Sequence, residues 1–124
     1  MGAMTMLKDK IATFVGNVQA IDGVIACALV SRDGIIAGKS FDRNLNEPWF
    51  GALMATIHAS AESAVSIIRM KSVESATIRA PACSIVVMGA GENFLIAAIV
   101  KDKTEPEKVY RHLLTVAKEI GQVL

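Results

Sequence analysis

Between Pro48 and Ile68, roughly six helical turns, Glu62 is the only side chain with a formal charge. Most of the surface of such a helix is not made for water, so the helix must be buried on more than one side. One bulky stripe, Phe50, Leu53, Ile57, Ala61, Ala64 and Ile68, follows the i, i+3/i+4 spacing and suits a sheet. A second flank, Ala52, Ala55, Thr56, Ala59, Ser63 and Ser66, is small throughout and would let another backbone come close, as an identical helix across a two-fold axis would. The polar remainder is a strip of His58, Glu62 and Arg69. A monomer that wraps this helix in its own chain is the competing arrangement. With only 124 residues there are few elements left to do the wrapping, which favours a self-associating domain over residues 1–124.

Composition narrows the functional classes. Hydrophobic residues make up 52% and charged residues 20%, yet no apolar run approaches the ~20 residues that span a bilayer, so no transmembrane segment is expected. A net charge of +1, with Lys and Arg scattered and few aromatics, offers neither an electrostatic footprint nor a stacking surface for nucleic acid. Cys27 and Cys83 lie in apolar runs and read as reduced core thiols, in keeping with a cytoplasmic protein. No secretory signal is evident, and Met1 to Ala3 have the look of an expression scar.

Along the chain, Leu7, Ile11, Phe14, Val15 and Val18 mark a first helix capped by Thr5 and ending near Gly16 and Asn17. Gly23 to Ser31 is apolar enough for a strand covered on both faces, and Asp33-Gly34 then turns the chain into a short edge strand, Ile35 to Lys39. The polar loop Ser40 to Asn46 leads to the central helix, capped near Asn46 or Glu47 and running to about Lys71-Ser72. Ser75 to Ala80 alternates, carries Arg79 and stops at Pro81, as a second edge strand would. Cys83 to Met88 and Phe94 to Val100 are apolar strands joined through Gly89 to Asn93. Thr104 to Glu107 has capping-box spacing, and Val109, Leu113, Val116, Ala117, Ile120 and Leu124 give the last helix one clean apolar face. With apolar strands central and the others at the edges, the prediction is a three-layer α/β/α sandwich. Its element order is α-β-β-α-β-β-β-α, around a five-stranded antiparallel sheet of order 2-1-5-4-3.

The Gly23–Val30 strand ending in Ser31-Arg32-Asp33-Gly34-Ile35-Ile36, the Ala-rich helix from Pro48 to Met70 and the three strands before the last helix resemble the roadblock family. That is a profilin-like superfold whose members include dynein light chains and small-GTPase regulators. The resemblance covers Met6 to Leu124. It implies a homodimer, or a heterodimer with another roadblock protein, in which third strands join edge to edge and second helices pack together. Mapped here, the interface is Ala52, Ala55, Thr56, Ala59, Ser63, Ser66 and Met70 on the helix with Ser75, Ala76, Thr77, Ile78, Arg79 and Ala80 on the strand. It further implies a non-catalytic adaptor or regulator of a Ras-like small GTPase, acting as scaffold, exchange factor or activator. The alternative is a small-molecule sensor, or a structural subunit of a motor- or membrane-associated complex.

Sharper chemistry finds little support. His58 and Glu62 are one turn apart but lack a third metal ligand, and Gly89-Ala90-Gly91 is an incomplete phosphate fingerprint with no helix after it. Ser60, Ser63 and Ser66 have no base placed beside them. Arg32 at a hairpin tip would suit an arginine finger, but an exposed turn arginine needs no such role. No catalytic residue, metal or cofactor is therefore expected. Trp49, His58 and Glu62 are the candidates for partner contact, Trp49 foremost because tryptophan so often dominates binding energy.

Overall fold

The computed structural model describes residues 2–41, 45–102 and 105–124. Its elements are α1 (Gly2–Gln19), β1 (Val24–Ser31), β2 (Ile36–Ser40), α2 (Glu47–Ile67), β3 (Ser75–Arg79), β4 (Cys83–Ala90), β5 (Phe94–Lys101) and α3 (Pro106–Val123). All strand pairs are antiparallel and the order across the sheet is β2-β1-β5-β4-β3, as the strand hydrophobicity predicts. The strands apolar on both faces are central because helices cover both faces.

Alternation along the central strands sorts the core into two layers. Cys27, Leu29, Met88, Ile96 and Ala98 face α1 and α3, where Phe14, Val15, Val18, Val109, Leu113, Val116 and Ile120 complete the larger cluster. Ala28, Val30, Val87, Leu95 and Ala97 face α2, which answers with Met54 as its one fully buried apolar side chain. Phe41 and Phe50 close the end of that smaller cluster edge to face, with ring centroids 5.6 Å apart.

Element boundaries differ from expectation in ways the local chemistry explains. α1 begins at Gly2 and runs on to Gln19, so Thr5 lies within the helix and Gly16 and Asn17 do not end it. Leu7 is exposed, as are its neighbours Met6, Lys8, Asp9 and Lys10. β2 starts at Ile36, after a register shift between Leu29 and Val30. β4 continues through Gly89 and Ala90, which pair with Leu95 and Phe94, so the turn is Gly91–Asn93 and no glycine-rich loop forms. α3 has Glu105 as its N-cap residue, and the capping box expected of Thr104 lies outside the described residues.

The early stop of α2 has a specific cause. Arg69 sits at φ 63°, Arg69 N–H donates to the Ser66 carbonyl and Met70 N–H to the Val65 carbonyl, the two bonds of a Schellman cap. A left-handed non-glycine residue carries about 1 kcal/mol of strain. Arg69→Gly is therefore expected to stabilise the protein by ~0.5 kcal/mol, after the added freedom of the unfolded chain is counted. A urea midpoint that falls instead would contradict this account of the cap.

Candidate functional site

α2 starts where two glycines let backbones touch. Its N-cap Asn46 accepts a hydrogen bond from Trp49 N–H through its side chain, and Pro48 occupies the first turn. One turn later Gly51 rests on the β1–β2 turn, so closely that a Cβ added there would meet the Gly34 carbonyl oxygen at 2.3 Å. Gly34 itself has φ +91°. This contact fixes the roll of the helix. The sheet-facing residues are Gly51, Met54 and His58, followed by half-buried Ala61 and Val65.

That roll departs from expectation by nearly one residue's angular step, about 100°. Leu53, Ala64 and Ile68, assigned to the sheet by spacing, are exposed, while Phe50, Ile57 and Ala61 are only half-buried. His58, read as part of a solvated strip and as a partner contact, is 3% exposed. Both stripes of this helix are apolar, so periodicity alone does not choose between them. The pairing of Gly34 with Gly51 does choose, and it is a tertiary contact with no local signal.

The rest of α2 is left open. Ala52, Thr56, Ala59, Ser63 and Ser66 are exposed, Ala55 is half-buried, and Trp49 (65% exposed) and Leu53 flank them. Ile67 (82%), the last residue of the helix, and Ile68 and Met70 beyond it continue the run of exposed apolar side chains. On the sheet edge beside it, Ser75 and Ala76 are half-buried and Thr77, Ile78, Arg79 and Ala80 are exposed. β3 has one neighbour only, β4, so its outer row of backbone groups is unpaired among the described strands. An apolar surface of this extent beside an open strand edge is the usual mark of a protein contact. Leu53, Ile67 and Ile68 are contact candidates that sequence reasoning missed, having placed two of them on the sheet.

Between this face and the hairpin turns lies a polar cluster. Arg32 N–H donates to the Asn93 carbonyl, which sets the β1–β2 turn beside the β4–β5 turn. From there Arg32 Nη2 donates to the Gly91 carbonyl at 2.7 Å. Its Nη1 lies 3.2 Å from His58 Nδ1 and 3.8 Å from Glu62 Oε1, and His58 Nδ1 is 3.2 Å from that same oxygen. Arg32 is thus turned inward and tied both to the β4–β5 turn and to α2, the opposite of a projecting finger. Its charge beside His58 and Glu62 also removes any case for a metal there, and among the described residues no three metal-ligating side chains come together.

His58 is held neutral. Burial first, and then the Arg32 charge, push its pKa below the ordinary 6.5, against the opposing pull of Glu62. Among the described residues Arg32 Nε and His58 Nε2 are buried without a partner, each an orphan of a kind that costs about 1–3 kcal/mol. Because the unfolded chain takes up the His58 proton more readily than the folded one, stability is full above pH 6.5 and is lost as pH falls through the lowered folded-state value. The thermal midpoint should therefore drop below that pH. His58→Asn should show a smaller drop, and an equal drop in the variant would contradict the assignment.

Nothing else described offers reactive chemistry. Burial pushes the Cys27 thiol up to about 11, leaving it a protonated core group. Ser66 Oγ bonds along its own helix, donating to the Ser63 carbonyl at 2.8 Å. On the opposite face from α2, a cleft of about 700 Å³ opens between β3–β4 and α3, lined by Arg79, Val86, Val100, Val109, Tyr110 and Arg111 among others. No described helix is long and apolar enough to cross a membrane.

Comparison with known proteins agrees with this architecture. The family model described as Roadblock/LC7 domain matches residues 10–100. Among solved structures, Myxococcus xanthus MglB superposes with a TM-score of 0.86 at 14% identity, covering 94% of this chain and 88% of that one. An MglB with a tetrameric arrangement gives 0.84 at 13% identity over 93% and 88%. A Roadblock/LC7 domain from Streptomyces avermitilis gives 0.77 at 16% over 90% and 92%. At these identities the structural likeness speaks for the fold. No curated protein matches in sequence.

Proposed function

The chain belongs to the Roadblock/LC7 domain family, and from that premise we propose that it is a single-domain, non-catalytic adaptor that works as a dimer and regulates a Ras-like small GTPase. The observation that carries this reading is the open face of α2 beside the free edge of β3, where the large apolar side chains Trp49, Leu53, Ile67, Ile68, Met70 and Ile78 meet a row of small residues. A second copy is the occupant argued for. The face is apolar and nearly uncharged, a two-fold axis would set it against its own image, and an unpaired antiparallel edge pairs most simply with itself. That one MglB is found in a tetrameric arrangement is in keeping with self-association. The paired α2 helices, rimmed by Glu62 and Trp49, then present the surface for the GTPase, and His58 supports that surface from beneath. The unpaired thiols Cys27 and Cys83 suit a cytoplasmic location.

Register decides how the edge is tested. Ala80 N–H donates to the Cys83 carbonyl, so by alternation Ile78 also bonds to β4, while the backbone N–H groups of Thr77 and Arg79 point outward. Thr77→Pro should weaken dimerisation roughly tenfold by removing an outward donor. Ile78→Pro should instead loosen β3 from β4. A dimer of undiminished affinity in the Thr77 variant would argue against a joined sheet.

The GTPase reading is tested by measuring nucleotide exchange and hydrolysis by Ras-like GTPases from the same genome, with and without this protein. A change in either rate, or a stable complex, supports it. The adaptor reading also requires no nucleotide turnover by the protein alone. If no GTPase responds or binds, the alternative of a small-molecule sensor or structural subunit takes over, and the cleft beside α3 is where a small ligand would be sought.

A further inference from the structure

We propose that Arg32, His58 and Glu62 form a proton-operated tether that holds the second half of α2 against the sheet. His58 Nδ1 lies 3.2 Å from Arg32 Nη1 and 3.2 Å from Glu62 Oε1, but one ring nitrogen offers in its plane either a lone pair or an N–H. The two contacts are mutually exclusive as hydrogen bonds. With the lone pair on Nδ1, Arg32 donates to it while its other nitrogen donates to the Gly91 carbonyl, and one guanidinium then links α2 to both hairpin turns. When the imidazole takes up a proton, Nδ1–H turns to Glu62. Arg32 then faces a like charge within hydrogen-bonding distance and withdraws, releasing Gly91 as it goes.

The surroundings leave nothing to absorb that proton's charge except Glu62. Arg32 from the β1–β2 turn and Glu62 from α2 are the charged groups that act on the ring. The β4 residue packed against it is Gly89, whose added Cβ would lie 3.5 Å from Nε2 and 3.4 Å from Arg32 Nη2, so β4 contributes no charge. The tether also matters most where apolar anchoring is weakest. The fully buried α2 residues are Gly51, Met54 and His58, and beyond Glu62 no residue of the helix is fully buried. Residues 59–67 are therefore the segment that loosens. If α2 carries the contacts proposed above, binding becomes pH-dependent; that consequence rests on the α2 reading, whereas the opening does not.

The test is amide exchange, as protection factors for residues 59–67, together with the ring nitrogen shifts of His58, both followed from about pH 7.5 to about pH 5. Protection is expected to begin falling as pH drops below the ordinary histidine value, by up to about tenfold per pH unit, and to level off where the ring shifts show His58 taking up its proton in the folded protein. His58→Asn, which keeps an acceptor near the Nδ1 position and cannot titrate, should hold its protection across the range. Glu62→Gln, a change at the surface that leaves the core untouched, removes the carboxylate charge that favours the imidazolium and should move the midpoint of the fall to lower pH. Flat protection in the unaltered protein, an equal fall in the His58 variant, or an unmoved midpoint in the Glu62 variant would each overturn the tether. Molecular mass measured on the same samples separates this result from the fate of the dimer.

Discussion

Ala59→Arg is expected to turn a dimer into a monomer while leaving the protomer folded. Ala59 is exposed in the protomer and lies in the middle of the small-residue row on the open face of α2, so the fold of one chain does not depend on it. In a two-fold interface the substitution is made twice, so two like charges would be forced into one seam of small apolar residues. An unpaired buried charge costs about 2–5 kcal/mol, which corresponds to a loss of dimer affinity of roughly 30-fold or more. Light scattering should then report the protomer mass, with the circular dichroism unchanged. An unaltered dimer would place the interface elsewhere.

Gly51→Val is expected to cause the largest loss of stability from a single substitution. The added Cβ would fall 2.3 Å from the Gly34 carbonyl oxygen, a backbone atom with no rotamer to escape into. Gly34 cannot yield easily either, since it is held at φ +91° with Ala52 Cα 2.9 Å from where its own Cβ would be. Either α2 lifts off the β1–β2 turn or the hairpin bends, and in both cases the smaller core cluster around Met54 opens. A cost of about 3 kcal/mol is expected, a fall in thermal midpoint on the order of 10 °C. Gly16→Ala is the control, because nothing lies within 4 Å of a Cβ at that helical position, and it should be neutral or mildly stabilising. Equal effects at the two positions would contradict the close contact.

What the sequence disclosed follows from what is local and what is not. Strand order was legible because coverage writes itself into composition: β1, β4 and β5 are apolar on both faces, while Arg79 and Gly38 mark the edges. The apolar face of α3 was legible because Lys108, Arg111, Lys118 and Glu119 leave a single stripe free of charge. α2 offered no such contrast. Its lack of charge announced burial on more than one side, but that same uniformity hid which side meets the sheet. The answer lies in a glycine pair seventeen residues apart in sequence, Gly34 and Gly51. For the same reason periodicity places His58 at the surface, whereas it is buried beside Arg32.

The central claim is that the open face of α2 is covered by a second copy of this chain. Sedimentation equilibrium of the unaltered protein at low micromolar concentration and neutral pH tests it most directly. The account predicts a mass twice the 13.2 kDa of one chain. A single species of 13.2 kDa under those conditions would contradict it.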